Sequence, residues 1–289
     1  MYHSTDRGSV GTSGVGMISH TGRKPPVVLH VAPHPDDEVM GAGATLLLLR
    51  ANGWVVQNLA CTLGRPGDAA RRRSELLEAA DRAGFATTFM TPPALLSLAD
   101  DLDCGAGAVR SAVVDMIDQT GASLVLSPHP HDGHHGHEAV GRGVRDALRV
   151  RPAVTWWMWG LWADLPLPTL MAVFDEDTLS ANLQAISAYA GENARNGYDT
   201  LYPARATASS ILGSERVFGF GAGRASPLPY AELFTETRYA AGTWPLGNRR
   251  LLDPAHALSD DAPSGADLCA WLHQPSLRQQ IREGHVRRG

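Results

Sequence analysis

Apolar and polar positions divide the chain into short blocks of two different periods. Val27-Val28-Leu29-His30-Val31-Ala32 is a nearly continuous apolar run between Pro26 and Pro33, which predicts a buried strand. Residues 38–50 follow with helical spacing and stop at Asn52-Gly53. Residues 54–61 predict a second strand. Residues 68–83 predict a helix closed by Gly84, with Leu76, Leu77, Ala80 and Ala83 on its apolar face. A weaker strand over 86–90 and a helix near 107–119 come next. Ser123-Leu124-Val125-Leu126-Ser127 reads as another buried strand, followed by a His/Gly/Pro loop, a helix over 137–149 and a strand over 154–159. Past residue 190 the pattern fades, and only a helix near 179–190 is read there.

Strands that alternate with helices of about 10–15 residues argue for right-handed βαβ units. The expected fold is therefore α/β, a Rossmann-like parallel sheet flanked by helices, with the active site at the carboxyl ends of the strands. Two unusually polar loops, 33–38 and 128–137, fall at such strand ends. With 289 residues, 44% hydrophobic and 19% charged, the chain has material for one large domain. A net charge of −5 leaves no basic footprint for nucleic acid. Lys24 is the single lysine, and the Arg, Ala and Gly bias is that of a GC-rich genome. Cys61, Cys104 and Cys269 are scattered, so neither a disulfide framework nor a thiolate zinc site is expected.

Residues 1–25 are rich in Gly, Ser and Thr without an apolar run and read as a disordered tail. No stretch approaches the roughly 18 apolar residues of a membrane span, and a cytoplasmic protein without a transmembrane segment is expected. The catalytic domain is assigned to 26–242. Residues 243–289 read as a C-terminal extension, a lid or a surface helix, with Arg278, Arg282, Arg287 and Arg288 near its end.

His34-Pro35-Asp36-Asp37-Glu38 crowds one imidazole and several carboxylates directly after a buried strand. Such carboxylates repel unless a cation compensates. His34 and Asp37 lie three residues apart, as do His134 and His137 in the second loop, so each pair can aim at one point. Zinc accepts imidazole and carboxylate ligands, and a catalytic site takes three from the protein and leaves a position for water. Two histidines and one aspartate from these loops would make such a site. Asp36, beside a ligand, is placed to take the proton from that water.

The two loops resemble the signature motifs of the LmbE/PIG-L family of zinc N-acetylglucosamine deacetylases, His-Pro-Asp-Asp-Glu early and His-x-x-His later. The resemblance spans roughly residues 26–240, where Tyr230-Ala231-Glu232-Leu233-Phe234 is similar to a closing Ala-Glu-x-Phe segment. It implies one zinc per chain held by His34, Asp37 and His137, with Asp36 as general base. It also implies that His134 stabilises the oxyanion and can protonate the leaving amine, and that Arg72 lies near the substrate. Composition and overall sequence also look similar to the deacetylases of teicoplanin-type glycopeptide biosynthesis, which implies an N-acetylglucosamine on a pseudoaglycone as substrate. A mycothiol-type amino-sugar conjugate is the alternative. Two departures stand out. Gly136 occupies a position that is acidic in many relatives, which leaves support of His134 to another residue such as Asp132. Arg65, in Thr62-Leu63-Gly64-Arg65, replaces a glutamate.

Other features have plainer readings. Glu38 suits the first turn of a helix. His129, His131 and His135 read as solvated. Gly41-Ala42-Gly43-Ala44 lacks the third glycine of a dinucleotide loop and follows acidic residues, so that reading is rejected. The run Thr155-Trp156-Trp157-Met158-Trp159-Gly160-Leu161-Trp162 is apolar on both faces and reads as core, with Trp159 or Trp162 the candidate substrate wall. Two rival classes are a non-catalytic metal-binding module and a phosphate-binding α/β protein; the open zinc position opposes the first and the missing Gly-rich loop the second.

Overall fold

The computed structural model describes residues 24–275 and Gln280. Most of the N-terminal tail, residues 1–23, and the four C-terminal arginines lie outside the described residues. The strands are β1 (Val27–Ala32), β2 (Val55–Ala60), β3 (Ala86–Phe89), β4 (Leu124–Pro128), β5 (Thr155–Trp159), β6 (Leu170–Phe174), β7 (Tyr230–Thr237) and β8 (Arg250–Leu251). They form an 8-stranded sheet in the order β3-β2-β1-β4-β5-β7-β6-β8. The first five in that order pair in parallel, as the alternation predicts. The sheet as a whole is mixed, because β7 runs antiparallel to both β5 and β6. That half lies in the region where sequence periodicity fades.

The helices are α1 (Asp37–Gly41), α2 (Gly43–Ala51), α3 (Ala69–Ala83), α4 (Leu102–Thr120), α5 (His135–Arg149), α6 (Glu176–Ile186), α7 (Ala190–Asn196), α8 (Tyr198–Phe218) and α9 (Cys269–His273). Alternate residues of the strands feed two cores. Val28, Val56, Leu124 and Trp157 join Leu46, Leu49 and Leu76 in one, while Leu29, Val125 and Trp156 join Val109, Val113 and Val144 in the other. Both faces of the sheet are thus covered, which explains the unbroken apolar strands. Among the described residues no helix is long and apolar enough to cross a membrane.

Three expectations need correction. The single helix over 38–50 is two, broken at Ala42 with φ −153°. The break lets the buried Glu232 carboxylate cap α2, accepting from the backbone N–H of Ala44 (3.1 Å) and Thr45 (2.9 Å) and from Thr45 Oγ1 (2.6 Å). Gly41 and Gly43 answer to packing, since a Cβ would sit 2.6 Å from Trp159 and 2.1 Å from Asn182. On α3, Leu77 is 46% exposed, and Arg72 and Glu75 are buried with Leu76, Ala79, Ala80 and Ala83. Polar contacts to its neighbours, rather than apolar periodicity alone, set the inward face.

The third correction concerns the C-terminal extension. Trp244 is fully buried and meets Trp156 edge-on at 5.6 Å. β8 pairs with β6, and the Trp271 ring lies 5.8 Å from that of His129. Through residue 273 the extension belongs to the body of the fold. Trp244→Ala should therefore cost about 3–5 kcal/mol in denaturant unfolding of the full chain; a loss below about 1 kcal/mol would mark it as peripheral.

Candidate metal centre

In the order β3-β2-β1-β4-β5 the connections leave β1 and β4 in opposite directions, and the crevice beyond their carboxyl ends is where α/β sheets bind ligands. Both polar loops open there. β1 ends at Ala32, and Asp36 then adopts φ 103° and ψ −25° at the start of α1. A non-glycine residue held so costs about 1–3 kcal/mol, a strain typical of functional sites. The kink sends two adjacent carboxylates to different partners.

Asp37 turns to the imidazoles. Its Oδ2 accepts from the His34 backbone N–H at 2.8 Å and lies 3.2 Å from His34 Nδ1. Its Oδ1 lies 3.2 Å from His137 Nε2. His137 Nδ1 is held by Asp132 Oδ2 at 2.7 Å, which leaves Nε2 as the nitrogen facing Asp37. Such a carboxylate behind a histidine fixes its ring and its ligating nitrogen. Asp132 is itself anchored, its Oδ1 accepting from the backbone N–H of Leu161 (2.8 Å), Trp162 (3.1 Å) and Ala163 (3.1 Å). Asp132 thus serves His137.

The donor set fits a zinc ion. Zinc takes imidazole nitrogen and carboxylate oxygen, and here each oxygen of Asp37 lies 3.2 Å from one imidazole nitrogen. Burial works against a charged Asp37, but His137 and His34 outweigh it and hold its carboxyl well below the usual range. Burial likewise opposes charge on His137, yet Asp37 and Asp132 lift it to about 10. A proton on Nε2 and a divalent cation compete for that lone pair. Among the described residues, ring nitrogens of His34, His134 and His137 lie within 4.8 Å of one another and form a triple that could hold a metal ion. Asp37 contacts both His34 and His137 and is almost wholly buried. His134 flanks the group with its ring 4.9 Å from that of His137 and stacked on Trp162 at 6.2 Å.

Asp36 turns the other way, its Oδ2 3.3 Å from Arg72 Nη2. Burial and the neighbouring Asp37 push its carboxyl well above the ordinary range, with Arg72 pulling back. The two adjacent carboxyls are thus driven in opposite directions, Asp36 towards its protonated form and Asp37 towards its charged form. Glu38, pushed up to about 7 by burial, bonds Tyr189 and accepts from the Asp36 N–H at 3.2 Å, bracing the kink.

Gly136 has a steric reason. A Cβ there would lie 2.9 Å from His34 Cε1 and 3.1 Å from Nε2. Gly136→Ala should therefore displace His34 and weaken zinc binding by about 1–3 kcal/mol, the usual range for overpacking. Competitive chelator titration reads this directly, and unchanged affinity would show that His34 does not ligate.

A cavity of 780 Å³ opens over the cluster, lined by His34, Asp36, Asp37, Arg72, His134 and His137 and further out by Arg65, Leu95, Leu98 and Trp162. Trp159 is corrected as a substrate contact. It is fully buried, stacked on His30 at 5.8 Å and edge-on to His137 at 5.5 Å, so it packs beneath the His137 ring. Trp162, 51% exposed, forms the wall. His129 and His135 are buried rather than solvated, and His131 Nε2 meets the Trp271 carbonyl at 2.6 Å. Glu192 on α7 and Tyr198 on α8 close the far side. Both escaped the sequence reading, because Gly191-Glu192-Asn193 carries no apolar period or recognisable spacing.

A profile of the PIG-L family, described as GlcNAc-PI de-N-acetylase, matches residues 29–148, from β1 through α5, and so takes in both polar loops. The closing segment on β7 lies outside that match. No curated protein sequence matches the chain. Among solved structures, the A40926 pseudoaglycone deacetylase is 22% identical, covering 74% of this chain and 98% of its own at TM-score 0.55. A zinc-inhibited form of teicoplanin deacetylase is 16% identical, covering 75% and 100% at TM-score 0.55. The 4-carboxy-2-hydroxymuconate hydratase of Pseudomonas putida is 18% identical, covering 75% and 98% at the same TM-score of 0.55. At such identities the likeness is one of fold, and it embraces a hydratase as well as deacetylases.

Proposed function

Taking residues 29–148 as a PIG-L family domain, we propose that the protein is a zinc-dependent de-N-acetylase. Its substrate is an N-acetylglucosamine moiety borne by a larger conjugate of the glycopeptide pseudoaglycone kind. His34, Asp37 and His137 hold the single metal, which when bound supplies Lewis acidity and lowers the pKa of a water towards about 7. Asp36 takes the proton from the attacking water. His134, on the cleft side of the cluster, donates to the acyl oxygen as negative charge gathers on it, commonly the largest catalytic contribution. Either Asp36 or His134 returns a proton to the departing amine.

The observation that carries this reading is the split at residues 36 and 37, where one carboxylate joins the imidazoles and its neighbour faces the cleft beside Arg72. A bare binding module has no use for the second. The 780 Å³ cavity lies within the roughly 300–1,000 Å³ range of ligand pockets. Leu95, Leu98 and Trp162, at 66%, 61% and 51% exposure, offer an apolar wall to an aglycone. Mass-spectrometric screening of acetylated amino sugars and glycopeptide conjugates with zinc-loaded protein should detect acetate release. Turnover that survives exhaustive chelation, or none on any acetylated amino sugar, would refute the proposal.

A further inference from the structure

We propose that Arg72 and Glu192 form a clamp that positions the Asp36 carboxylate, so that Arg72 serves the base rather than the substrate; the inference rests on the deacetylase reading above. Arg72 is only 9% exposed, and both of its hydrogen bonds run from one nitrogen. Nη2 donates to the Pro35 carbonyl at 3.0 Å and reaches Asp36 Oδ2 at 3.3 Å. Nε lies 3.6 Å from Glu192 Oε1. Nη1 sits over Gly64, where a Cβ would come within 2.5 Å of it. With Nη2 committed to the Pro35 carbonyl and to Asp36, the guanidinium has no free pair of parallel N–H groups for a bidentate grip on an anionic ligand.

Glu192 is 2% exposed and is fixed from several sides. It accepts from Arg71 Nη2 (3.4 Å) and Asn196 Nδ2 (3.4 Å) and pairs with Arg195. Arg71 is tied to Glu75 at 2.7 Å, and the other oxygen of Glu75 accepts from the Gly191 N–H at 3.0 Å. α3 and α7 are laced together, and the outcome of that lacing is the placement of one guanidinium. Asp36 needs it. The residue sits in a strained backbone conformation among the charges of Asp37, Glu38 and Glu192, and Arg72 is the cation that faces it. Without the clamp, the carboxylate turns away from its like-charged neighbours and loses register with the water it must deprotonate.

The test uses zinc-loaded full-length protein and the variants Arg72→Ala, Arg72→Lys and Glu192→Gln. The clamp predicts unchanged zinc content and unchanged KM. It predicts a fall in kcat of about 10²-fold for Arg72→Ala, the usual consequence of misplacing a reacting group by about 1 Å. Glu192→Gln should show a smaller fall of the same kind. Free guanidinium ion should restore part of the Arg72→Ala rate, and Arg72→Lys should not match the wild type because it lacks the fork. A raised KM with intact kcat would make Arg72 a substrate contact and overturn the clamp. Absence of wild-type turnover would sink the deacetylase reading instead, and crystal structures then decide the clamp separately. Arg72 leaving Asp36 in Glu192→Gln supports it; Arg72 unmoved overturns it.

Discussion

Asp36→Asn should keep one zinc per chain and lose turnover by about 10²–10⁴-fold, the usual contribution of a positioned general base. The asparagine is nearly isosteric and still offers an oxygen to Arg72 Nη2, which lies 3.3 Å from Asp36 Oδ2. It lacks only the capacity to accept a proton. Because Asp36 makes none of the contacts that join Asp37 to the two imidazoles, metal retention is the expected companion of the lost rate. Measuring zinc by mass spectrometry beside kcat separates the two. Loss of zinc in this variant would turn Asp36 into a ligand, and full activity would deny it the role of base.

His137→Ala should fail at the other step. Removing one of three ligands forfeits on the order of a third of the roughly 10–16 kcal/mol available to a protein zinc site, so affinity should fall by at least about 10²-fold. The truncation also leaves Asp132, which is 0% exposed, without the imidazole it holds at 2.7 Å. Its Oδ1 keeps three backbone N–H donors, and leaving the other oxygen buried and unpaired costs about 1–3 kcal/mol. The apo variant should therefore unfold earlier than apo wild type, and His137→Gln, which keeps a polar group in place, isolates the metal effect from the folding effect. Full zinc occupancy in either variant would overturn the ligand assignment.

The first half of the molecule was legible because its signals are local. Continuous apolar strands, the stop at Asn52-Gly53 and the glycine at 84 fall where the structure has β1, the end of α2 and the left-handed cap of α3. The His/Asp spacings were equally local, and the structure brings His34, Asp36, Asp37, His134 and His137 to one cleft. What stayed hidden depends on distant chain. Ala42 breaks a helix because Glu232 arrives from β7 to cap the second half. Arg72 and Glu75 point inward because α7 brings Glu192 and Gly191 to them. Trp159 and Trp162 share one short run, and only the turn after β5 decides that the first supports His137 from below while the second faces the cavity. Gly136, read as a missing acid, is better understood as room for the His34 ring.

Anomalous diffraction at the zinc edge, on crystals of zinc-reconstituted protein, addresses the ligand set without any substrate. A single peak is predicted, about 2.0–2.2 Å from His34 Nδ1, His137 Nε2 and a carboxylate oxygen of Asp37, with Asp36 outside bonding distance. A zinc ion found elsewhere, or bound here without Asp37, would contradict the account.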